Sequence, residues 1–175
     1  MKNNKFVCFA NGTTVVTPSG LKTIESIRLY DTIFSYNQKT NVVEQVIVEK
    51  IAISHHYVIN RITFSDSTEI KSTTDHPYWV SGKGWSAVDN SCTLENYGIS
   101  VKQLLVKDKC LAFNNGALNE VHVTNIETIV GLFKMYVISG GKNHCFFANG
   151  MLVHDENLVD LQLEGEGIEF TTIQE

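Results

Sequence analysis

The segment Ile24–Asn37, IESIRLYDTIFSYN, returns without a gap at Val101–Asn114, VKQLLVKDKCLAFN, an offset of 77 residues (24 to 101). Asp31 falls on Asp108, Asn37 falls on Asn114, and apolar positions coincide at nearly every step. A unit repeated once must bury its two copies together, which predicts two pseudo-symmetric halves sharing one core. Those halves read as β-structure. Apolar and polar residues alternate in Val46–Val48, Tyr57–Phe64 and Tyr136–Ile138, the period of a half-buried strand. Thr17-Pro18-Ser19-Gly20 fits a proline-led β-turn, and Asn114-Asn115-Gly116 and Asn149-Gly150 suit hairpin turns that need positive φ. Helical periodicity is weak, with single short turns expected at Ile24–Leu29 and Val101–Val106. Asn90–Ser100 reads as a surface loop.

Hydrophobic residues make up 43% of the 175 positions, enough for one ordinary core. The expected organisation is a flank over residues 1–7, one domain over 8–155, and an acidic tail over 156–175. The tail holds six acids and no Lys or Arg; its alternating Val159–Leu163 is a candidate edge strand. The net charge of −5, with no basic run, argues against a nucleic-acid surface. No apolar stretch approaches the ~20 residues that span a bilayer, and MKNNKFVCFANG has no apolar core of a signal peptide. A monomer, cytoplasmic by default and with no membrane partner, is the expectation. Cys8, Cys92, Cys110 and Cys145 are irregularly spaced without a C-x-x-C, so free thiols are expected and a structural zinc site is not. No cofactor or metal is expected.

Three separated segments carry the chemistry. Cys8 opens CFANGTTVVTPSGLKTIESIRLYDTIFSYN. Thr73-Thr74-Asp75-His76-Pro77-Tyr78-Trp79-Val80, followed by Gly84-Trp85, forms a T-x-x-H block. Tyr136–Asp155, YVISGGKNHCFFANGMLVHD, ends in His154-Asp155 directly after a hairpin. In this order the three resemble the opening, T-x-x-H and closing blocks of Hint (Hedgehog/intein) domains, over Cys8–Asp155. The likeness is closest to bacterial intein-like domains, mini-intein-like and without a homing endonuclease. It implies an all-β horseshoe of two pseudo-symmetric β-subdomains, with both chain ends at its centre.

The resemblance also implies a self-cutting chemistry. An N-to-S acyl shift would move the Val7 carbonyl from the Cys8 nitrogen to the Cys8 sulfur. The thiol, with an ordinary pKa of about 8.5, must lose its proton. The oxyanion needs donors, and the departing amine needs a proton. Thr73 would hydrogen-bond the scissile peptide and His76 would protonate the Cys8 nitrogen, a positioned acid being worth on the order of 10²–10⁴-fold. His144 would orient the C-terminal site, and His154 would polarise the Asp155 carbonyl. The substrate is then the protein's own N-terminal flanking peptide, with water or a small nucleophile as acyl acceptor, in a single turnover. Splicing is disfavoured twice. Family members usually end in asparagine, where this chain has Asp155, and the next residue is Glu156 rather than Ser, Thr or Cys. Slow C-terminal cleavage through Asp155 is left open. Many inteins carry an aspartate at the place of Val137, and often an asparagine at that of Cys145, a second thiol near the site.

Blander readings stand beside these. A free cysteine is usually a small buried hydrophobe, and Cys110 reads that way. His55, His56 and His122 read as solvated histidines rather than metal ligands. Trp79 and Trp85 pack in the core or cover the site. Two alternative functions follow: an inert Hint-fold binding or presentation module, and a cysteine hydrolase acting in trans through Cys8 and His76.

Overall fold

The structure, a computed structural model, describes residues 6–155. Residues 1–5 and the acidic tail with its candidate strand lie outside the described residues. The elements, in chain order, are β1 (Phe9–Ala10), β2 (Thr14–Thr17), β3 (Gly20–Thr23), a 3₁₀ turn (Ile24–Ser26), β4 (Thr32–Asn37), β5 (Val42–Ile47), β6 (Lys50–Phe64), β7 (Glu69–Ser72), β8 (Tyr78–Val80), β9 (Gly84–Ala87), α1 (Asn90–Tyr97), β10 (Lys102–Gln103), β11 (Lys109–Asn114), β12 (Ala117–Ser139), β13 (Cys145–Ala148) and β14 (Met151–His154).

The repeat governs the architecture. β4 and β11 occupy matching positions in the two copies, and the turns before them are built alike. Asp31 accepts the Arg28 N–H and pairs with Lys22; Asp108 accepts the Leu105 N–H and pairs with Lys83, both N–H bonds being 2.8 Å. Tyr30 and Lys107 both take positive φ, +68° and +79°. Each copy then runs into long antiparallel strands. β6 and β12 pair from Phe64↔Val123 to Lys50↔Ser139, with ladder breaks after Val123 and Val130. The main sheet runs β1-β7-β6-β12-β11-β8-β14-β13-β2-β3, with β9 on β8 and β10 parallel to β9, while β4 and β5 form a separate ribbon. The result is an all-β fold of two pseudo-symmetric halves, as the repeat predicts.

Local chemistry explains the corners. The β11–β12 turn has φ of +52° at Asn115 and +76° at Gly116, and the β13–β14 turn has +46° at Asn149 and +84° at Gly150. These are the angles of the primed hairpin turn, which favours Asn-Gly. The 3₁₀ turn appears within Ile24–Leu29, but Val101–Val106 holds the short strand β10 instead of a helical turn.

Asn90–Ser100 is not a plain loop, because α1 occupies most of it. The Asp89 side chain accepts the Cys92 N–H at 3.1 Å as N-cap, and Gly98 closes the helix at φ +69°. Only Thr93 of the helix is buried, so there is no apolar stripe to read. Its caps and its contacts to the T-x-x-H loop hold it.

Buried apolar side chains gather in three clusters. The largest includes Phe9, Ile62, Phe64, Tyr78 and Phe146. A second surrounds Cys8 with Phe6, Ala52, Ile59, Met135 and Val137. The third joins Tyr36, Cys145, Phe147 and Leu152. All four cysteines are free.

Candidate functional site

β1 lies between β12, at Phe9↔Tyr136, and β7, at Phe9↔Ser72. That position presents Cys8 to the loop that follows β7, which is the T-x-x-H segment. Thr73 grips Cys8 on both sides: the Cys8 N–H donates to Thr73 Oγ1 at 3.2 Å, and the Thr73 N–H donates to the Cys8 carbonyl at 3.1 Å. The Cys8 sulfur is fully buried, 3.4 Å from the Phe6 carbonyl oxygen and 3.4 Å from His56 Nε2.

The loop itself is braced from behind by α1. Thr93 Oγ1 donates to the Asp75 carbonyl at 2.9 Å, and Asn96 Nδ2 donates to the Asp75 carboxylate at 3.0 Å. The Asp89 N–H donates to the Thr74 carbonyl at 2.8 Å. A segment held at Thr74 and at Asp75 has little freedom at His76.

His76 is buried beneath the Phe9 ring, centroids 4.1 Å apart. Its Nε2 lies 2.9 Å from the His154 carbonyl oxygen. A carbonyl only accepts, so Nε2 carries the proton and Nδ1 is bare. Nδ1 completes no hydrogen bond among the described residues, while the Cys8 backbone lies near enough to the ring to favour its protonated form. Burial dominates and lowers the His76 pKa to about 3.

One imidazole therefore touches both ends of the domain. Beyond the His154 carbonyl, β14 pairs with β8 at Val153↔Tyr78 and delivers His154 and Asp155. His154 Nδ1 donates to the Asp155 carbonyl oxygen at 2.5 Å, and Trp85 packs edge-on against the His154 ring, centroids 5.0 Å apart. His144 stacks on His154 at 6.4 Å and sits in the left-handed region, φ +52°. Its carbonyl accepts the Asp155 N–H at 2.8 Å.

The Asp155 carboxyl is buried. Oδ2 accepts the Gly140 N–H at 3.2 Å. A Cβ on Gly140 would meet the Ile47 carbonyl oxygen at 2.1 Å, so only glycine brings this N–H in. Oδ1 lies 3.6 Å from His144 Nδ1, too far for a hydrogen bond, and has no other donor among the described residues. Burial pushes the carboxyl up to about 6, against the pull of the Gly140 N–H and His144.

Thus Thr73 bonds the Cys8 backbone on both sides, the His76 ring lies near the same backbone, and His154 and Asp155 join them through His76. His144 touches only the C-terminal part. Cys145, opposite His154 on the neighbouring strand β13, is packed with Ser35 and Tyr36: its Sγ donates to the Tyr36 carbonyl at 3.2 Å, and burial raises its pKa. It is a core thiol in a cluster separate from that of Cys8. Gly140 is a site residue that the sequence did not point to, and His56, expected to be a solvated histidine, is instead half-buried against the Cys8 sulfur. His56 sits in an alternating strand, and no spacing rule ties it to a cysteine 48 positions earlier. Among the described residues no cluster of His, Cys, Asp and Glu is arranged to hold a metal ion, and no helix is long and apolar enough to cross a membrane.

The His76 shift has a sign that can be tested. Its folded pKa is depressed, so its contribution to stability is complete above the ordinary value of 6.5 and is lost as pH falls from there toward about 3. His56 and His154, also depressed by burial, act in the same direction, and Asp155 acts in the opposite one. Denaturant unfolding should show His76 costing the fold on the order of 2–3 kcal/mol between about pH 7.5 and about pH 4.5. A His76→Gln variant should lose correspondingly less over that range.

Strand order, the doubled subdomain and the meeting of both ends at one histidine define a Hint-fold, intein-like domain without an inserted endonuclease. The bacterial intein-like domain of Clostridium thermocellum is similar at 24% identity and a TM-score of 0.69, covering 85% of this chain and 98% of that one. The DnaB intein of Synechocystis sp. PCC 6803 is similar at 16% identity and TM-score 0.70, covering 86% and 99%. The DnaX mini intein of Spirulina platensis is similar at 25% identity and TM-score 0.64, covering 85% and 99%. The family model of the Ataxin-1 and HBP1 module (AXH) matches residues 7–115, and the chain belongs to that family. That match takes in Cys8, Thr73 and His76 and stops before the closing segment, whereas the structural likenesses extend over most of the chain. No curated protein matches the sequence significantly.

Proposed function

We propose that this chain is a single-turnover, self-processing domain that cuts its own backbone at Val7–Cys8. The observation that carries the reading is the clamp on the Cys8 peptide: N–H and carbonyl both bonded to Thr73, with the His76 ring against the same backbone. The substrate is the flanking peptide Met1–Val7, the domain is 8–155, and the acidic tail is 156–175. Cys8 Sγ attacks the Val7 carbonyl carbon, forming a C–S bond. The tetrahedral intermediate collapses by breaking the bond to the Cys8 nitrogen, which leaves as an amine with one added proton. Water or a small nucleophile then takes the acyl group.

His76 is suited to supply that proton only after receiving one, since Nε2–H is committed to the His154 carbonyl and Nδ1 is bare. A ring with a pKa of about 3 is a strong acid once charged, so a proton gained at Nδ1 passes readily to the departing amine. Splicing is disfavoured by Asp155-Glu156.

Intact-mass measurement tests the reading. With an added thiol or hydroxylamine, the wild-type chain should lose Met1–Val7, and Cys8→Ala should keep its full mass. An unchanged wild-type mass after long incubation would instead favour an inert binding module. One observation favours that second reading: where many inteins carry an aspartate, Val137 is apolar and packed in the Cys8 cluster. Hydrolysis in trans is opposed by the complete burial of Cys8.

A further inference from the structure

We propose that His56 is the base that takes the proton of the Cys8 thiol. The inference rests on the reading of Cys8 as nucleophile and assigns the group that activates it. His56 Nε2 lies 3.4 Å from Sγ, within the range of a hydrogen bond to sulfur. The Phe6 carbonyl, also 3.4 Å from the sulfur, can accept a hydrogen bond but cannot carry away a proton. Phe6, Ala52, Ile59, Met135 and Val137 pack in the same cluster as Cys8. His76 serves the opposite side of the residue, at the backbone.

The fold aims His56 at the sulfur. The residue pairs with Phe133 at the point where the β6–β12 register slips after Val130, and such a bulge redirects a side chain. Ser54 Oγ, two residues back on the same strand face, lies 3.2 Å from the same nitrogen and steadies it. Burial keeps the ring below its ordinary value, with the Asp75 carboxylate partly opposing, so it is neutral near pH 7 and has a lone pair to offer. The ring is only half-buried and can exchange protons with water.

The step balances. The Sγ–H proton moves to Nε2 and the sulfur lone pair forms the bond to the Val7 carbonyl carbon. His56 then releases its proton to water while the amine gains one through His76. Cys8 thus has one histidine at its sulfur and another near its backbone.

The test uses the full chain, time courses of intact mass with an added thiol, and an NMR titration of cysteine labelled with ¹³C at Cβ. His56→Gln should cleave on the order of 10²-fold more slowly. His56→Ala should be equally slow and recover with added imidazole. His122→Gln, an exposed control, should behave as wild type. The Cys8 thiol should titrate at higher pH in His56→Gln than in wild type. Wild-type cleavage by folded His56→Gln overturns the proposal, and so does slowing with neither imidazole rescue nor movement of the thiol titration. If wild type and Cys8→Ala both stay whole, self-processing fails as a function and the titration alone decides. A raised midpoint in His56→Gln then keeps His56 as the proton acceptor, and an unmoved one removes it.

Discussion

Replacing His76 with alanine should slow cleavage at Val7–Cys8 by on the order of 10²–10⁴-fold, the range for loss of a positioned proton donor. The ring is the one ionisable group set against the Cys8 backbone from the T-x-x-H loop, and nothing else there can protonate a departing amine. Thr73 only accepts from the Cys8 N–H and donates to the carbonyl through its own backbone. The substitution also removes the donor to the His154 carbonyl and opens space under the Phe9 ring, so stability should fall. His76→Gln separates the two effects. Glutamine can keep a hydrogen bond to that carbonyl but cannot shuttle a proton near neutral pH, so it should fold nearly as well as wild type and cleave as slowly as alanine. Time courses of intact mass, with folding checked by NMR, decide it. A folded His76→Gln chain that cleaves at the wild-type rate would remove His76 from the chemistry.

Much of the scaffold could be read from particular residues. The repeat at Asp31 and Asp108 marks two equivalent turns because each aspartate bonds an N–H three residues earlier and pairs with a lysine. Asn-Gly at 115–116 and 149–150 marks hairpins because few other pairs take positive φ twice in succession. The meeting of Cys8, Thr73, His76 and His154 was legible only through three ordered blocks, since contacts between residues 65 and 78 positions apart leave no local periodicity. What was not legible is instructive. α1 is a polar, eight-residue helix held by Asp89, Gly98 and contacts to Asp75, and pattern reading looks for an apolar stripe it does not have. His56 owes its place to a register slip between β6 and β12, which is a property of the pair of strands and of neither sequence alone. Gly140 is required by the backbone of a residue far from it in sequence. Cys145, adjacent to His144 in sequence and opposite His154 on β13, packs with Tyr36, Phe147 and Leu152 in a cluster separate from that of Cys8.

The second large effect is a gain. Asp155→Asn should switch on cleavage at the C-terminal side, seen as loss of Glu156–Glu175 from the intact mass, where wild type loses it slowly or not at all. The parts around the residue suit that reaction. His154 Nδ1 donates to the Asp155 carbonyl oxygen, where the oxyanion would form, and His76 fixes the His154 carbonyl that sets the ring's position. What the site lacks is a competent nucleophile: an asparagine Nδ2 can attack its own carbonyl carbon, closing a succinimide and releasing the next residue as an amine. Asparagine also matches the surroundings better than the carboxylate does. Its Oδ1 can accept the Gly140 N–H, and its NH₂ can stand where the Asp155 Oδ1 has no donor among the described residues, facing His144 Nδ1. The same substitution should change stability in a pH-dependent way. A carboxyl raised from 3.8 to about 6 in the folded state contributes stability that is present below 3.8 and lost as pH rises through 6. The amide does not titrate, so freshly purified Asp155→Asn should match wild type near pH 4 and exceed it by on the order of 2–3 kcal/mol at about pH 7.5. A gap that stays flat with pH, together with an intact tail after days of incubation, would mean that the buried carboxyl is neither the strained group nor the missing nucleophile at this end of the domain.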